Sequence, residues 1–432
     1  MSQIASWMFL AVSLWGSAFT LNVYRPIAGH ERLSVASFVA GWLTSELALH
    51  HIIIQALFTA CFVWAGALDH WPGVLGMLIT LVSWVALAYC FGGARTTGAT
   101  MEAALAEGLP DYDPEDFKDD PIGQVEWKEV ALPLPLHRSS IERVCNITYA
   151  RIRGINLKLD IYRGWDKPDG CPVLMQIHGG AWVVGTKNEQ GVPLMRRMAR
   201  RGWVCVSVDY RLSPHATFPD HLIDLKRAIA WIREHIHEYG GDPDRIVATG
   251  GSAGGHLCAL VGLTANDPRY QPGFEDVDTS TIACVPFYGV YDFTNRYSHW
   301  PNAGLARILE RQVMKSALDE ARDEYEAASP MSRIHDGAPP FFIIHGTHDT
   351  LVPVAEARQF AKMLRAVSRE PVVYAEIAGA QHAFEIFPSL RADLVLKGVD
   401  RFLTWAVAHD ARRRSGAAVP ETDPQLAMEA AS

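Results

Sequence analysis

A chain of 432 residues is longer than one typical small domain and suggests one large domain with an appendage. Hydrophobic residues make up 49% and charged residues 20%, which provides for a sizeable core and excludes general disorder. The net charge of -9 excludes a nucleic-acid partner, which would need a basic face. The seven cysteines, at 61, 90, 145, 171, 205, 258 and 284, form no C-x-x-C pair, and they read as reduced packing residues of a reducing compartment.

Residues 1–95 differ from the rest. Apart from histidines, tyrosines and cysteines, their ionisable side chains up to residue 94 are Arg25, Glu31, Arg32, Glu46 and Asp69. The runs 47–68 and 73–91 are each long and apolar enough to cross a bilayer, and Trp71-Pro72 between them suits a tight hairpin. Residues 4–24 make a third span without the basic leader of a signal peptide. The segment 33–43 either lengthens the second helix or lies at the interface. With three spans, Arg25, Arg32 and Arg95 put the first loop and the whole C-terminal part in the cytoplasm. His50 and His51 have no ligand-type partner at suitable spacing, so they mark a membrane boundary or a helix contact rather than a metal site.

Residues 96–138, with EGLPDYDPEDFKDDPIG at their centre, are rich in proline, glycine and acid and read as a linker or arm. From 139 to 412 eight β-rich runs follow, from CNITYARI to PVVYAEIAG, mostly separated by helical patterns. In 221–240, Leu222, Leu225, Ile229, Ile232 and Ile236 recur at helical steps. The alternation predicts an α/β class with a mostly parallel sheet covered by helices on both faces, and reactive groups at the carboxyl ends of strands. Residues 291–338 form an insertion, read as a cap over the site or a surface excursion, and 413–432 a flexible tail.

GGSAGGH (250–256) stands between the strand RIVAT and a helical run, and its Gly250-x-Ser252-x-Gly254 core has the form of a nucleophile elbow. Glycines two residues either side let the chain turn sharply, and the serine projects at a helix N-terminus. No Gly-Lys-Ser/Thr follows, which excludes a phosphate loop. HGGAW (178–182) ends another strand and exposes backbone N–H groups, each worth about 3 kcal/mol as an oxyanion donor. In the order serine, acid, histidine, Asp349 follows the strand FFIIHG and His382 the strand PVVYAEIAG. His178, His256, His345 and His348 precede the expected position and read as structural or pocket-lining. His409 falls in the last helix, and Asp336 and Glu376 are rival acids away from a strand end.

HGGAW, DYRLSPHATFP, GDPDRI, GGSAGG, GTHD and QHAF occur in order over about 140–410 and resemble the hormone-sensitive-lipase-like esterases of the α/β-hydrolase superfamily. Ala181 stands where many members carry a third glycine. The resemblance implies Ser252, Asp349 and His382 as catalytic triad, and an oxyanion hole from the N–H groups of Gly180, Ala181 and Ala253 with Gly179 as helper. It implies acyl transfer through a covalent intermediate, with no metal or organic cofactor. The substrate is expected to be a small-molecule or lipid ester met at the membrane. An amidase, a formamidase or a prenylcysteine-methylesterase-like hydrolase shares the triad, and a non-catalytic binding protein on the same fold is the remaining reading.

Overall fold

A computed structural model describes residues 1–132, 141–166 and 169–416. Most of the expected tail lies outside the described residues; its first positions continue the last helix.

The N-terminal region is four helices: α1 (Ser2–Tyr24), α2 (Glu31–Glu46), α3 (Ala48–Trp64) and α4 (Trp71–Gly93). Two helices are long and apolar enough to cross a membrane, α1 and the stretch beginning with α4. They pack through small and hydroxyl residues: Thr20 Oγ1 lies 2.6 Å from Ser83 Oγ, and Thr80 Oγ1 donates to Ser13 Oγ at 2.9 Å. Within a bilayer, whose chains are as apolar as leucine, close backbone approach and interhelical hydrogen bonds would hold such pairs rather than apolar burial. Trp15, Leu78, Val82 and Val85 point outward and are exposed.

Within the expected span 47–68, Ala48–Trp64 forms one continuous helix, α3, and α2 meets its start at 89°. Residues 33–43 therefore do not lengthen α3 along its axis. The inward residues of α2 are Ser34, Ser37, Gly41, Thr44, Ser45 and Glu46, a small polar stripe suited to a protein surface rather than to lipid.

The expected linker is more ordered than its composition suggested. α5 (Thr96–Gly108) packs against the last strand and the last helix of the C-terminal region, with Met101 and Leu105 fully buried, and a short α6 (Trp127–Ala131) follows. Proline and acidic residues mark the stretch after α5, while the small and apolar residues within α5 supply a buried face.

The C-terminal region holds one sheet of eight strands in the order β1-β2-β4-β3-β5-β6-β7-β8. β1 (Ile141–Ile152) and β2 (Ile155–Gly164) form an antiparallel hairpin, and β2 pairs antiparallel with β4 (Val204–Val208). β3 (Cys171–Ile177), β5 (Gly241–Gly251), β6 (Ala283–Phe287), β7 (Phe341–Gly346) and β8 (Val372–Ile377) continue in parallel with β4. The central strands are buried on both sides, as parallel strands between helical layers must be. The crossovers carry α7 (Val192–Arg200), α8 (Asp220–His235), α9 (Ala253–Leu263) and α12 (Val354–Arg365), and α13 (Leu390–Arg414) closes the chain. Between β6 and β7 lie α10 (Gly304–Ile308), a π-helical turn (Leu309–Met314) and α11 (Arg322–Ala327). One core beneath α8, α9 and α12 and another beneath α5, α7 and α13 sandwich the sheet.

Candidate active site

Ser252 stands between β5 and α9 with φ 61° and ψ -122°, a conformation that side chains adopt only when their surroundings impose it. The neighbouring glycines allow this. A Cβ on Gly250 would lie 2.6 Å from the Ile177 carbonyl oxygen, and one on Gly254 2.2 Å from the same atom. The Ser252 N–H donates to the Phe287 carbonyl at 3.0 Å, and His256 N–H returns to the Ser252 carbonyl at 3.0 Å. The turn is fixed on both sides, which directs the hydroxyl away from the sheet.

Asp349 and His382 meet beyond the ends of β7 and β8. His382 Nδ1 lies 2.6 Å from Asp349 Oδ2. With the proton on Nδ1 donated to that carboxylate, Nε2 is the atom able to accept one. Asp349 is fully buried, and its Oδ1 accepts from the N–H groups of Leu351 at 2.9 Å and Val352 at 2.8 Å. Burial alone would raise its pKa. His382 and His345 outweigh this and hold the carboxyl well below its usual range.

Four groups position this pair, and of these the sequence singles out His345 alone, as structural or pocket-lining. His345 Nε2 lies 3.2 Å from Asp349 Oδ2 and 3.0 Å from the Val352 carbonyl. Gln381 Oε1 accepts from the N–H groups of both His382 and Thr350 at 2.9 Å, tying the histidine loop to the aspartate loop. The Tyr288 ring lies 4.5 Å from the His382 ring, and its hydroxyl donates to the buried Glu385. Tyr288 and Glu385 meet across 97 residues and Gln381 and Thr350 across 31, which no local pattern marks.

HGGAW ends β3 in a tight loop with positive φ at Gly180, Ala181 and Trp182. Among the described residues, no protein acceptor takes up the N–H groups of Gly180, Ala181 or Ala253. Gly179 differs from the expectation: its N–H is occupied by Gln190 Oε1, so it supports the loop instead of facing a ligand. Trp182 Nε1 donates to His256 Nδ1 at 3.1 Å, and His256 Nε2 donates to the Ala328 carbonyl at 2.8 Å. Burial pushes His256 down to about 3, so it is a neutral bridge between this loop and the cap rather than a base.

The other rivals are engaged elsewhere. His178 stacks on Tyr210, His348 contacts the Val23 carbonyl, and His409 pairs with Glu370. Asp336 pairs with Arg369, and Glu376 with Arg358. His50 approaches the Ala131 carbonyl at 3.1 Å, and among the described residues no group of histidine, cysteine and acid could hold a metal.

Ser252, His382, Ala181 and Trp182 line one cavity of about 730 Å³. The cap contributes Asn302 to Gln312, and α2 contributes Glu31, Arg32, Ser34 and Val35. The insertion therefore forms part of the site, and so does the N-terminal region. Ser34 accepts a hydrogen bond from Thr350 through its carbonyl at 2.9 Å, Trp42 stacks on Phe387 at 4.9 Å, and Glu46 is buried against Arg391 and Ser389.

A mostly parallel sheet with a strained serine after its central strand, and a histidine–carboxylate pair beyond two later strands, defines an α/β-hydrolase fold. Residues 159–364 match the BD-FAE family. LipM of Mycobacterium tuberculosis (strain ATCC 25618 / H37Rv), a probable carboxylic ester hydrolase, is 42% identical over 416 residues, covering 91% of this chain and 92% of LipM. Esterase LipQ of the same organism is 40% identical over 379 residues, covering 85% of this chain and 83% of LipQ. A butyrate-bound esterase structure, Est2 of Thermogutta terrifontis, superposes with a TM-score of 0.52 at 29% identity, covering 62% of this chain and 94% of Est2. The chain belongs to the family of α/β-hydrolase carboxylic ester hydrolases that includes LipM and LipQ.

Proposed function

We propose that the protein is a membrane-anchored serine carboxylesterase or lipase that hydrolyses apolar carboxylic esters through an acyl-enzyme. The observation that carries this reading is the shared cavity, in which Ser252 on its strained elbow and the Asp349-held His382 face the same space. His382 Nε2 takes the Ser252 proton as the oxygen attacks the ester carbon. The carbonyl oxygen becomes an oxyanion bound by the N–H groups of Gly180, Ala181 and Ala253. Collapse of the tetrahedral intermediate expels the alcohol, which leaves with the proton from His382. Water then attacks the acyl-enzyme, gives its proton to His382, and the acid departs as Ser252 Oγ regains that proton. Asp349 keeps the imidazole in the required tautomer throughout.

Anchoring by α1, α4 and the bent α2–α3 pair would hold the cavity beside a bilayer, because α2 is also a wall of the site. Apolar esters then arrive from the lipid rather than from water. The arginines Arg25, Arg32 and Arg95 favour a cytoplasmic catalytic region. A maleimide that does not cross membranes should leave the exposed Cys145 unmodified in intact cells.

The test is a graded series of p-nitrophenyl esters on detergent-solubilised protein, read for a pre-steady-state burst. A burst of one p-nitrophenol per active enzyme, lost in Ser252→Ala, supports the acyl-enzyme. Turnover that survives Ser252→Ala would contradict it.

A further inference from the structure

The cavity has an apolar lining, including Val35, Val290, Leu305, Ile308 and Leu351, and a strongly cationic one. Arg32 comes from α2, and Arg307 and Arg311 from the cap. Glu31 is the one carboxylate among the described lining residues, and it is paired with Arg307. This pair joins α2 to the cap and holds Arg32 and Arg311 on one cavity. Among the described residues, neither Arg32 nor Arg311 has an acidic partner.

The net charge is -9, and several surface arginines elsewhere pair with acids: Arg358 with Glu376, Arg369 with Asp336, Arg200 with Glu129. Arg32 and Arg311 differ in lining the same cavity as Ser252. An arginine left open in an acid-rich chain is available for an anion from outside. The helical segment carrying Arg307 and Arg311 passes from α10 into the π-helical turn Leu309–Met314, a form frequent at functional sites. Guanidinium groups bind phosphate and carboxylate through paired N–H donors, which fixes orientation as well as charge.

We propose that the physiological substrate is an ester that itself carries a phosphate, bound by Arg32 and Arg311 while its apolar chain lies against the apolar lining and its carbonyl reaches Ser252. This rests on the esterase reading above and narrows it to anionic amphiphilic esters. Arg32 and Arg311 are then specificity-determining residues, and the membrane region takes part in substrate choice through α2.

The test compares kcat/KM for hexanoyl esters of glycerol and of glycerol 3-phosphate, using the full-length protein in non-ionic detergent at low salt. The wild type is expected to prefer the phosphate ester about ten- to hundred-fold, the range of a charge-assisted paired hydrogen bond. Arg32→Gln and Arg311→Gln should each lower that ratio about ten-fold, mainly through KM, whereas the remote Arg358→Gln should keep it. Circular dichroism reports that each variant is folded. Equal kcat/KM for both esters in the wild type, or a ratio unchanged in both variants, would overturn the proposal. A third arm presents the neutral ester in vesicles with and without phosphatidylglycerol. If the arginine variants slow turnover only on the anionic vesicles and leave the soluble ratio intact, the arginines serve the bilayer surface and the proposal falls. No turnover of either ester, together with no fluorophosphonate adduct on Ser252, would contradict the esterase reading and this inference with it.

Discussion

The ring of Phe38, on α2, stands edge-on to the ring of His382, with centroids 5.8 Å apart and planes at 82°. A helix from the N-terminal region thus packs directly on the histidine of the proposed mechanism. Phe38→Ala removes this support, and kcat is expected to fall about ten-fold, because small displacements of a catalytic group cost one to two orders of magnitude. Steady-state kinetics on a water-soluble ester measures it. Deletion of residues 1–46 should cost more, since it also strips a wall from the cavity and bares Trp42's partner Phe387. Equal activity of the shortened chain on a soluble ester would show that the region is an anchor and nothing more.

His345 faces the same fully buried Asp349 carboxylate as His382 does. His345→Phe withdraws one donor from a buried anion and should cost about 1–3 kcal/mol of stability. The sign of the pH effect follows from the lowered pKa of Asp349. Its contribution is present above the unfolded carboxyl pKa, about 4, and is lost as pH falls through the folded value. The variant raises that folded value, so acid unfolding should begin at higher pH than in the wild type. A fluorescence-monitored acid titration of both proteins decides this.

Glu385 behaves in the opposite sense. Burial pushes its carboxyl up to about 7, against the opposing hydrogen bond from Tyr288, and Glu46 raises it further. The folded protein holds it neutral while the unfolded chain ionises from about 4.5 upward. Stability from this group is therefore complete below pH ~4.5, declines between pH ~4.5 and ~7, and is level above. Glu385→Gln abolishes that decline. Its stability relative to the wild type should improve by about 3 kcal/mol between pH 4.5 and 7.5, from a shift of about 2.5 units. Melting temperatures of the two proteins at both pH values give the comparison.

Gly254→Ala tests the elbow itself. The added carbon would lie 2.2 Å from the Ile177 oxygen and 2.8 Å from the His178 oxygen, both backbone atoms that cannot rotate away. The backbone at Ser252 must shift, and kcat should fall at least about 100-fold even where the protein stays folded. Circular dichroism separates this from global unfolding.

The eight strands and the glycine-bounded serine were legible in the sequence because they are local patterns. Apolar runs mark buried parallel strands, and Gly250-x-Ser252-x-Gly254 states its own backbone requirement. Asp349 and His382 were found by chain order after strands, and they meet in space. What escaped were relationships across the chain. Gln190 occupies the N–H of Gly179 from a loop eleven residues away. Glu46 reaches Arg391 across 345 residues. The part α2 plays in the site left one readable trace, the small polar residues Ser34, Ser37, Gly41 and Thr44 at steps of three and four, which set a protein-facing helix apart from a lipid-facing one.

The most direct test of the account is labelling of the full-length, detergent-solubilised protein with a fluorophosphonate, the modified peptide then being identified by mass spectrometry beside Ser252→Ala. The account predicts a single adduct on Ser252 in the wild type and none in the variant. A folded wild type that takes no label, or an adduct that persists in Ser252→Ala, would contradict it.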